Sequence, residues 1–215
     1  MIAIVDYRAG NLTSVQRALA ALGRGGESVI TDNPAVIRRA DRVIFPGVGA
    51  AGEAMRNLHE LGLAGVLREV VATGKPFLGI CLGYQILFEG SDENGGVECL
   101  GLLPGRVVRF PDPLRNPQQP DRPLKVPHMG WNAARALRPH PVLAGIEPGS
   151  EFYFVHSYHP TKVAPAMALT ETDYGIPFAS GAAAGALVGF QFHPEKSGRP
   201  GLRLLTNFCE WNPLA

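Results

Sequence analysis

Cysteine is scarce in this chain: 215 residues hold three, Cys81, Cys99 and Cys209. They lie far apart, without the paired spacing of a zinc site or a disulfide framework. An excess of charge is also missing. Twenty Lys and Arg against 19 Asp and Glu leave a net charge of +1, so nothing general favours a nucleic acid or a membrane surface as partner. No apolar stretch approaches the ~20 residues of a membrane span. Internal repeats are absent, and no basic leader precedes the opening Met1-Ile2-Ala3-Ile4-Val5-Asp6. These features predict a soluble protein of the reduced cytoplasm. A chain of this length buries roughly 70% of the surface it exposes when unfolded. It is expected to form one domain over residues 1–215 without covalent staples.

Strand and helix signals alternate through the first part. Ile2–Val5 reads as a buried strand, followed from Asn11 by a helix with Leu12, Val15, Leu19 and Leu22 on one face and Gly23 at its end. Val29–Thr31 and Val43–Phe45 are further strands, with Asp32-Asn33-Pro34 starting a helix between them. Pro46–Gly52 is a glycine-rich loop, helical segments run to about Thr73, and Phe77–Ile80 is a fourth strand. Such alternation predicts a mostly parallel sheet covered on both faces. After Ser91 the pattern changes to a polar, glycine-rich stretch at Asp92–Gly105 and a proline-rich loop at Pro111–Pro123. Short strands are expected at Arg106–Phe110, Phe152–Val155, Ala166–Thr170 and Leu187–Phe192, as antiparallel additions returning to the main sheet. A last helix carries Leu202, Leu205, Phe208 and Cys209 on an apolar face.

Gly79-Ile80-Cys81-Leu82-Gly83 is the most informative segment. A glycine-flanked cysteine leaving a strand and entering a helix has the pattern of a nucleophile elbow. Small neighbours are expected to let a substrate carbonyl approach, and a helix from Leu82 to aim its positive end at the sulfur. A lone cysteine at a strand end is most often a core residue. The two glycines and the strand-to-helix context reverse that reading here. Phe190-Gln191-Phe192-His193-Pro194-Glu195 offers a general base, His193, and a carboxylate, Glu195, two residues on and so on the same side of an extended chain. An isolated His-x-Glu is a surface pair; beside the elbow it becomes a candidate for activating the thiol.

Gly47-Val48-Gly49-Ala50-Ala51-Gly52 matches G-x-G-x-x-G, the fingerprint of a dinucleotide site, with Glu69 near the offset of a ribose-binding acid. A nucleotide-binding oxidoreductase is therefore an alternative from another class. Against it, Glu69 reads as helical, and the next strand ends in Cys81. With 26 glycines in the chain, three-glycine matches also arise by chance. The better reading is a loop whose amides near Val48 and Gly49, with that of Leu82, bind a developing oxyanion. His156-Ser157-Tyr158-His159 suggests metal ligands, but no third cluster accompanies it, and no metal or cofactor is expected.

The elbow with Gly83-Tyr84-Gln85, the late His193-Pro194-Glu195 and the loop after the third strand resemble the class I, triad-type glutamine amidotransferases. Asp6-Tyr7, Gly10-Asn11-Leu12, Phe45–Gly49, Lys125–Asn132 and Gln191–Gly198 narrow the resemblance to the glutaminase subunits of imidazole glycerol phosphate synthases. The resemblance runs from Met1 to the final helix. It implies a three-layer αβα, flavodoxin-like fold, with Cys81 attacking the glutamine amide, His193 protonating the departing ammonia and Glu195 orienting His193. Gln85 and His156-Ser157-Tyr158 would line the glutamine pocket. The ammonia would pass to a barrel-shaped cyclase subunit in a heterodimer, with Asn11, Trp131 and Lys196 facing that partner. Arg8 and Ala9 depart from the smaller or apolar residues usual in the family, and so does Glu98-Cys99, expected as a surface loop.

Overall fold

The computed structural model describes residues 1–8, 10–117 and 121–213. Ala9 and part of the expected proline-rich loop lie outside the described residues. The first part of the chain runs β1 (Ile2–Val5), α1 (Leu12–Ala21), β2 (Ser28–Thr31), α2 (Pro34–Arg39), β3 (Arg42–Gly47), α3 (Ala51–Glu60), α4 (Leu63–Ala72), β4 (Phe77–Cys81) and α5 (Leu82–Gln85). Asn33 starts α2 as expected, its side-chain oxygen accepting the amides of Ala35 and Val36 ahead of Pro34's fixed φ. The remainder adds β5 (Gly90–Ser91), β6 (Val97–Glu98), β7 (Arg106–Arg109), β8 (His128–Ala133), β9 (Arg135–Ala136), β10 (Glu151–His156), β11 (Tyr158–Thr161), β12 (Ala168–Asp173), β13 (Pro177–Ala184), β14 (Leu187–Phe190) and α6 (Gly198–Glu210).

The main sheet has the order β2-β1-β3-β4-β14-β13-β12-β9. Its first five strands are parallel, in the doubly wound order of flavodoxin-like folds, and β13, β12 and β9 are antiparallel. Alternation along β1 explains the layers. Ile2 and Ile4 point to one face and pack with Val15 and Leu19 of α1 and with Leu204, Leu205 and Phe208 of α6. Ala3 and Val5 point to the other and pack with Ile37 of α2, Leu58 of α3 and Leu67 of α4. Leu202 of α6, expected on the buried stripe, is only partly covered, and Leu204 takes its place.

Three strand expectations need correction, the first being β14, expected over Leu187–Phe192 as an antiparallel addition, which spans Leu187–Phe190 and runs parallel to β4. β7 and β10 do not return to the main sheet. β10 pairs with β8 in a separate two-stranded ribbon, and β7 joins β11, β5 and β6 in a small four-stranded sheet. Both small sheets stand beside the carboxyl ends of the parallel strands and wall the cleft there. Local periodicity identifies a strand and says nothing of its partner, so the pairing was not legible. Glu98 falls in the edge strand β6 and Cys99 is buried behind it, in place of the surface loop expected.

Candidate active site

The C-terminal ends of four adjacent parallel strands converge on one cleft, where doubly wound sheets bind their ligands. β1 delivers the loop to Asn11, β3 delivers Val48 and Gly49, β4 delivers Cys81, and β14 delivers Gln191, His193 and Glu195. The cleft encloses about 400 Å³ and is lined by Val48, Gly49, Cys81, Leu82, Gln85, Glu93, Val155, His156, Ser157 and Tyr158. All expected oxyanion and substrate residues therefore share one cavity. A wider depression of about 700 Å³ over Ala136–Ala144 holds no nucleophile.

Cys81 sits at φ 54°, ψ −111°, a conformation that disfavours any side chain and is found where a sharp elbow is over-determined by its surroundings. What holds it is packing. A Cβ on Gly83 would overlap the Phe45 carbonyl oxygen of β3, and one on Gly79 would come within 2.8 Å of Leu87. The flanking glycines thus let the turn nest against β3, a structural demand in place of the expected substrate access. α5 is short, ending at Gln85. Its four residues carry little macrodipole, so aligned peptides contribute less at the sulfur than a full helix would.

His193 is fully buried, and its Nδ1–H donates to Glu195 Oε1 at 2.8 Å. The same oxygen accepts a short hydrogen bond from Asn11 Nδ2. The 3.4 Å approach of Asn11 Nδ2 to His193 Nδ1 brings two donors together and is no further bond. With Nδ1 so engaged, Nε2 is the free nitrogen, and among the described residues it has no hydrogen-bond partner. The thiol instead donates to the Val155 carbonyl at 3.9 Å and accepts from Gln191 Nε2 at 3.8 Å. Burial pulls the imidazole pKa down. The proximity of the Cys81 sulfur and of the Glu195 carboxylate, through charge and hydrogen bonding, outweighs burial and lifts it to about 10.

Several contributors escaped the sequence reading. Gln191 is fully buried, donates to Cys81 and accepts from Gln85 Nε2 at 3.0 Å. Gln85 Nε2 also donates to the Tyr158 carbonyl at 2.9 Å, so its amide braces the pocket wall. Glu93 brings a carboxylate to the cleft and accepts the Ala51 amide at 2.7 Å. The buried Tyr7 hydroxyl, without a partner among the described residues, lies where a Cβ on Gly47 would fall. Tyr7 and Gln191 lie in segments that carried the resemblance but were given no role, and Gln85 was expected in the pocket without these bonds. Glu69, the ribose-acid candidate, is exposed on α4 and paired with Arg38 at 2.7 Å, away from the end of β4.

Trp131 and Lys196 are exposed on the rim. Trp131 is 54% exposed and meets Tyr153 edge-on at 6.1 Å between ring centres, and Lys196 Nζ lies over the same ring, 5.9 Å from its centre. Arg8, at φ 64°, is exposed and paired with Glu60 at 2.9 Å. No described helix is long and apolar enough to cross a membrane.

A buried cysteine on a strained elbow, an imidazole braced by a carboxylate and a flavodoxin-like sheet define a glutamine amidotransferase of class I. The family described as Glutamine amidotransferase class-I matches residues 3–211. A crystal structure of a glutamine amidotransferase superposes with a TM-score of 0.72 at 19% identity, covering 98% of both chains. A glutamine amidotransferase from Thermotoga maritima gives 0.63 at 15%, covering 99% of this chain and 86% of its own. Closer relatives bear the name imidazole glycerol phosphate synthase subunit HisH. That of Methylococcus capsulatus is 49% identical over 99% of this chain and 97% of its own length. That of Desulfovibrio desulfuricans is 52% identical over 98% and 94%. The chain belongs to the class I glutamine amidotransferases, within their HisH family.

Proposed function

We propose that this chain hydrolyses glutamine and hands the ammonia to the cyclase subunit of an imidazole glycerol phosphate synthase, in histidine biosynthesis. Cys81 attacks the side-chain amide carbon as thiolate, forming the C–S bond, with its proton taken up by His193. The oxyanion is met by the amides of Val48, Gly49 and Leu82. Loss of one such donor typically costs ~3 kcal/mol of transition-state stabilisation. His193 then returns its proton to the nitrogen, the C–N bond breaks and ammonia leaves. Water, deprotonated by the same imidazole, adds to the thioester and releases glutamate, regenerating the thiol. Glu195 holds the imidazole with Nε2 toward the sulfur throughout.

The cleft suits the substrate's other end. Glu93 offers a carboxylate to the α-ammonium group, and Gln85, His156, Ser157 and Tyr158 supply polar walls. The exposed Met129 and Trp131 on β8, together with Lys196 and the half-buried Asn11, form the face proposed for a barrel-shaped cyclase partner. There the ammonia would complete imidazole glycerol phosphate and the aminoimidazole carboxamide ribonucleotide. The three free thiols suit a reduced, cytoplasmic setting.

The observation that carries this reading is the His193–Glu195 hydrogen bond, which engages Nδ1 and leaves the buried Nε2 without a partner among the described residues. It is tested by assaying ammonia release from glutamine with and without a cyclase subunit and its nucleotide ligand. Cys81→Ala is expected to abolish glutamine-dependent synthesis and to leave synthesis from ammonium salt intact. Glutamine use at the normal rate by that variant would remove Cys81 from the mechanism. Failure of a glutamine-mimicking chloroketone to label Cys81, even with the partner present, would point to a non-catalytic subunit.

A further inference from the structure

One wall of the cleft is backed by a buried histidine, His128, that the proposed chemistry does not use. His128 on β8 stands directly opposite His156 on β10, and both are buried among Phe110, Phe154, Tyr174 and Phe178. The His128 ring is stacked between Tyr174 at 3.9 Å and Phe154 at 4.7 Å, both tilted by 22°. Its edges are engaged as well. Nδ1 is 3.0 Å from His156 Nε2, and Nε2 is 3.3 Å from Asn132 Nδ2.

The hydrogen positions follow from one fixed point. His156 Nδ1 is 2.8 Å from the Tyr158 carbonyl oxygen, which only accepts, so Nδ1 carries the proton. In a neutral imidazole His156 Nε2 must then accept, and His128 Nδ1 must donate to it. His128 Nε2 is left as acceptor for the Asn132 amide, whose Nδ2 also donates to the Asp173 carbonyl at 2.9 Å. Every ring nitrogen is satisfied by a single assignment of tautomers. Burial depresses the pKa of His128 to about 4 and of His156 to about 3, which keeps both rings neutral.

We propose that His128 is a positioning residue of the glutamine pocket: its Nδ1–H locks His156 in the tautomer that holds the Tyr158 carbonyl, and so fixes the pocket wall from Val155 to Tyr158. This deepens the glutaminase reading and rests on it for its substrate. The Tyr158 carbonyl is the hub, since it also accepts from Gln85, which bonds Gln191, which bonds the Cys81 sulfur. Without the His128 donor, His156 Nε2 is an unsatisfied buried acceptor or takes the proton from Nδ1 and releases Tyr158. The strand that carries His128 also presents Met129 and Trp131 outward, which places the lock directly beneath the proposed docking face.

The test uses the full chain with a cyclase subunit. His128→Phe keeps a stacked ring without a donor, and His128→Asn returns an N–H near the Nδ1 position. His128→Gln places its amide toward the Nε2 position. His128→Phe and His128→Gln are expected to raise KM for glutamine roughly tenfold, the equivalent of one buried hydrogen bond, with kcat little changed. His128→Asn is expected to stay within about threefold of wild type. Nitrogen-15 NMR of the wild-type imidazoles is expected to show the Nδ1–H tautomer for His156 and the Nε2-unprotonated state for His128. Unchanged KM in folded His128→Phe, an equal defect in His128→Asn, or an Nε2–H tautomer for His156 each overturns the proposal. Should wild type fail to turn over glutamine, the glutaminase reading falls, while the NMR spectrum still decides the lock. That spectrum also decides it if the variants fail to fold.

Discussion

Asn11 donates its side-chain amide to the same Glu195 oxygen that receives the His193 Nδ1–H. A residue expected to face a partner is thus bonded to the carboxylate that orients the proposed base. It reaches this position from a left-handed backbone conformation, φ 75°, which asparagine tolerates better than most residues. Glu195 Oε2 has no partner among the described residues, so the two bonds to Oε1 fix the carboxylate.

Asn11→Ala removes one of those bonds. The expected result is a loss of roughly tenfold in kcat/KM for glutamine, in the range of one hydrogen bond to a charged group. Ammonium-dependent synthesis by the complex is expected to stay near wild type. An unchanged kcat/KM would show that His193 alone holds the carboxylate.

The elbow at Cys81 stores strain that a glycine would relieve. At φ 54°, ψ −111° a Cβ is disfavoured by about 1–3 kcal/mol. Cys81→Gly is therefore expected to be more stable than Cys81→Ala by about 1 kcal/mol, with both inactive on glutamine. Chemical denaturation of the two variants side by side measures the difference. Equal midpoints and slopes would mean the turn is not strained.

Gly83→Ala tests what the glycines are for. Its methyl group would overlap the Phe45 carbonyl oxygen, a backbone atom that cannot rotate away. The expected cost is about 3 kcal/mol or more, at the upper end for overpacking. Loss of soluble protein or a sharply lowered melting temperature would agree. A variant that melts like wild type would indicate that the turn has room to move.

Acid stability follows from the buried histidines. His128 and His156 bind protons near pH 6.5 when unfolded and at about 4 and about 3 when folded. The unfolded state therefore takes up more protons as pH falls through that window, and the native state loses stability. Each ring contributes a slope approaching ~1.4 kcal/mol per pH unit between about pH 6 and 4, and nothing above about pH 7. Urea midpoints across this range should fall for wild type and fall less steeply for a folded His128→Asn. A flat wild-type profile would contradict the neutral assignment.

The parallel half of the fold and the polar pair after β14 were legible because their signals are local. Ile2–Val5 and Phe77–Ile80 are apolar runs of strand length, and His193 and Glu195 are two residues apart. The elbow was visible for the same reason, although the role of its glycines was not, because Phe45 approaches from a strand more than 30 residues away. The His128–His156 pair is made by two strands whose partners are 28 positions apart in the chain, and neither strand carries a mark of the other. The sequence marked where α5 begins, at Leu82, and not where it ends; the helix stops at Gln85, and the following Leu87 and Phe88 are fully buried. What went unread was each contact that tertiary packing alone creates.

The most direct measurement is to mix the complex with glutamine, quench in acid within the first turnover and weigh the peptide that contains Cys81. The account predicts a glutamyl adduct on that cysteine, absent from Cys81→Ala and formed far more slowly when His193, which serves both its formation and its hydrolysis, is replaced. Ammonia and glutamate formed at the full rate with no adduct on Cys81, or formed equally by Cys81→Ala, would contradict it.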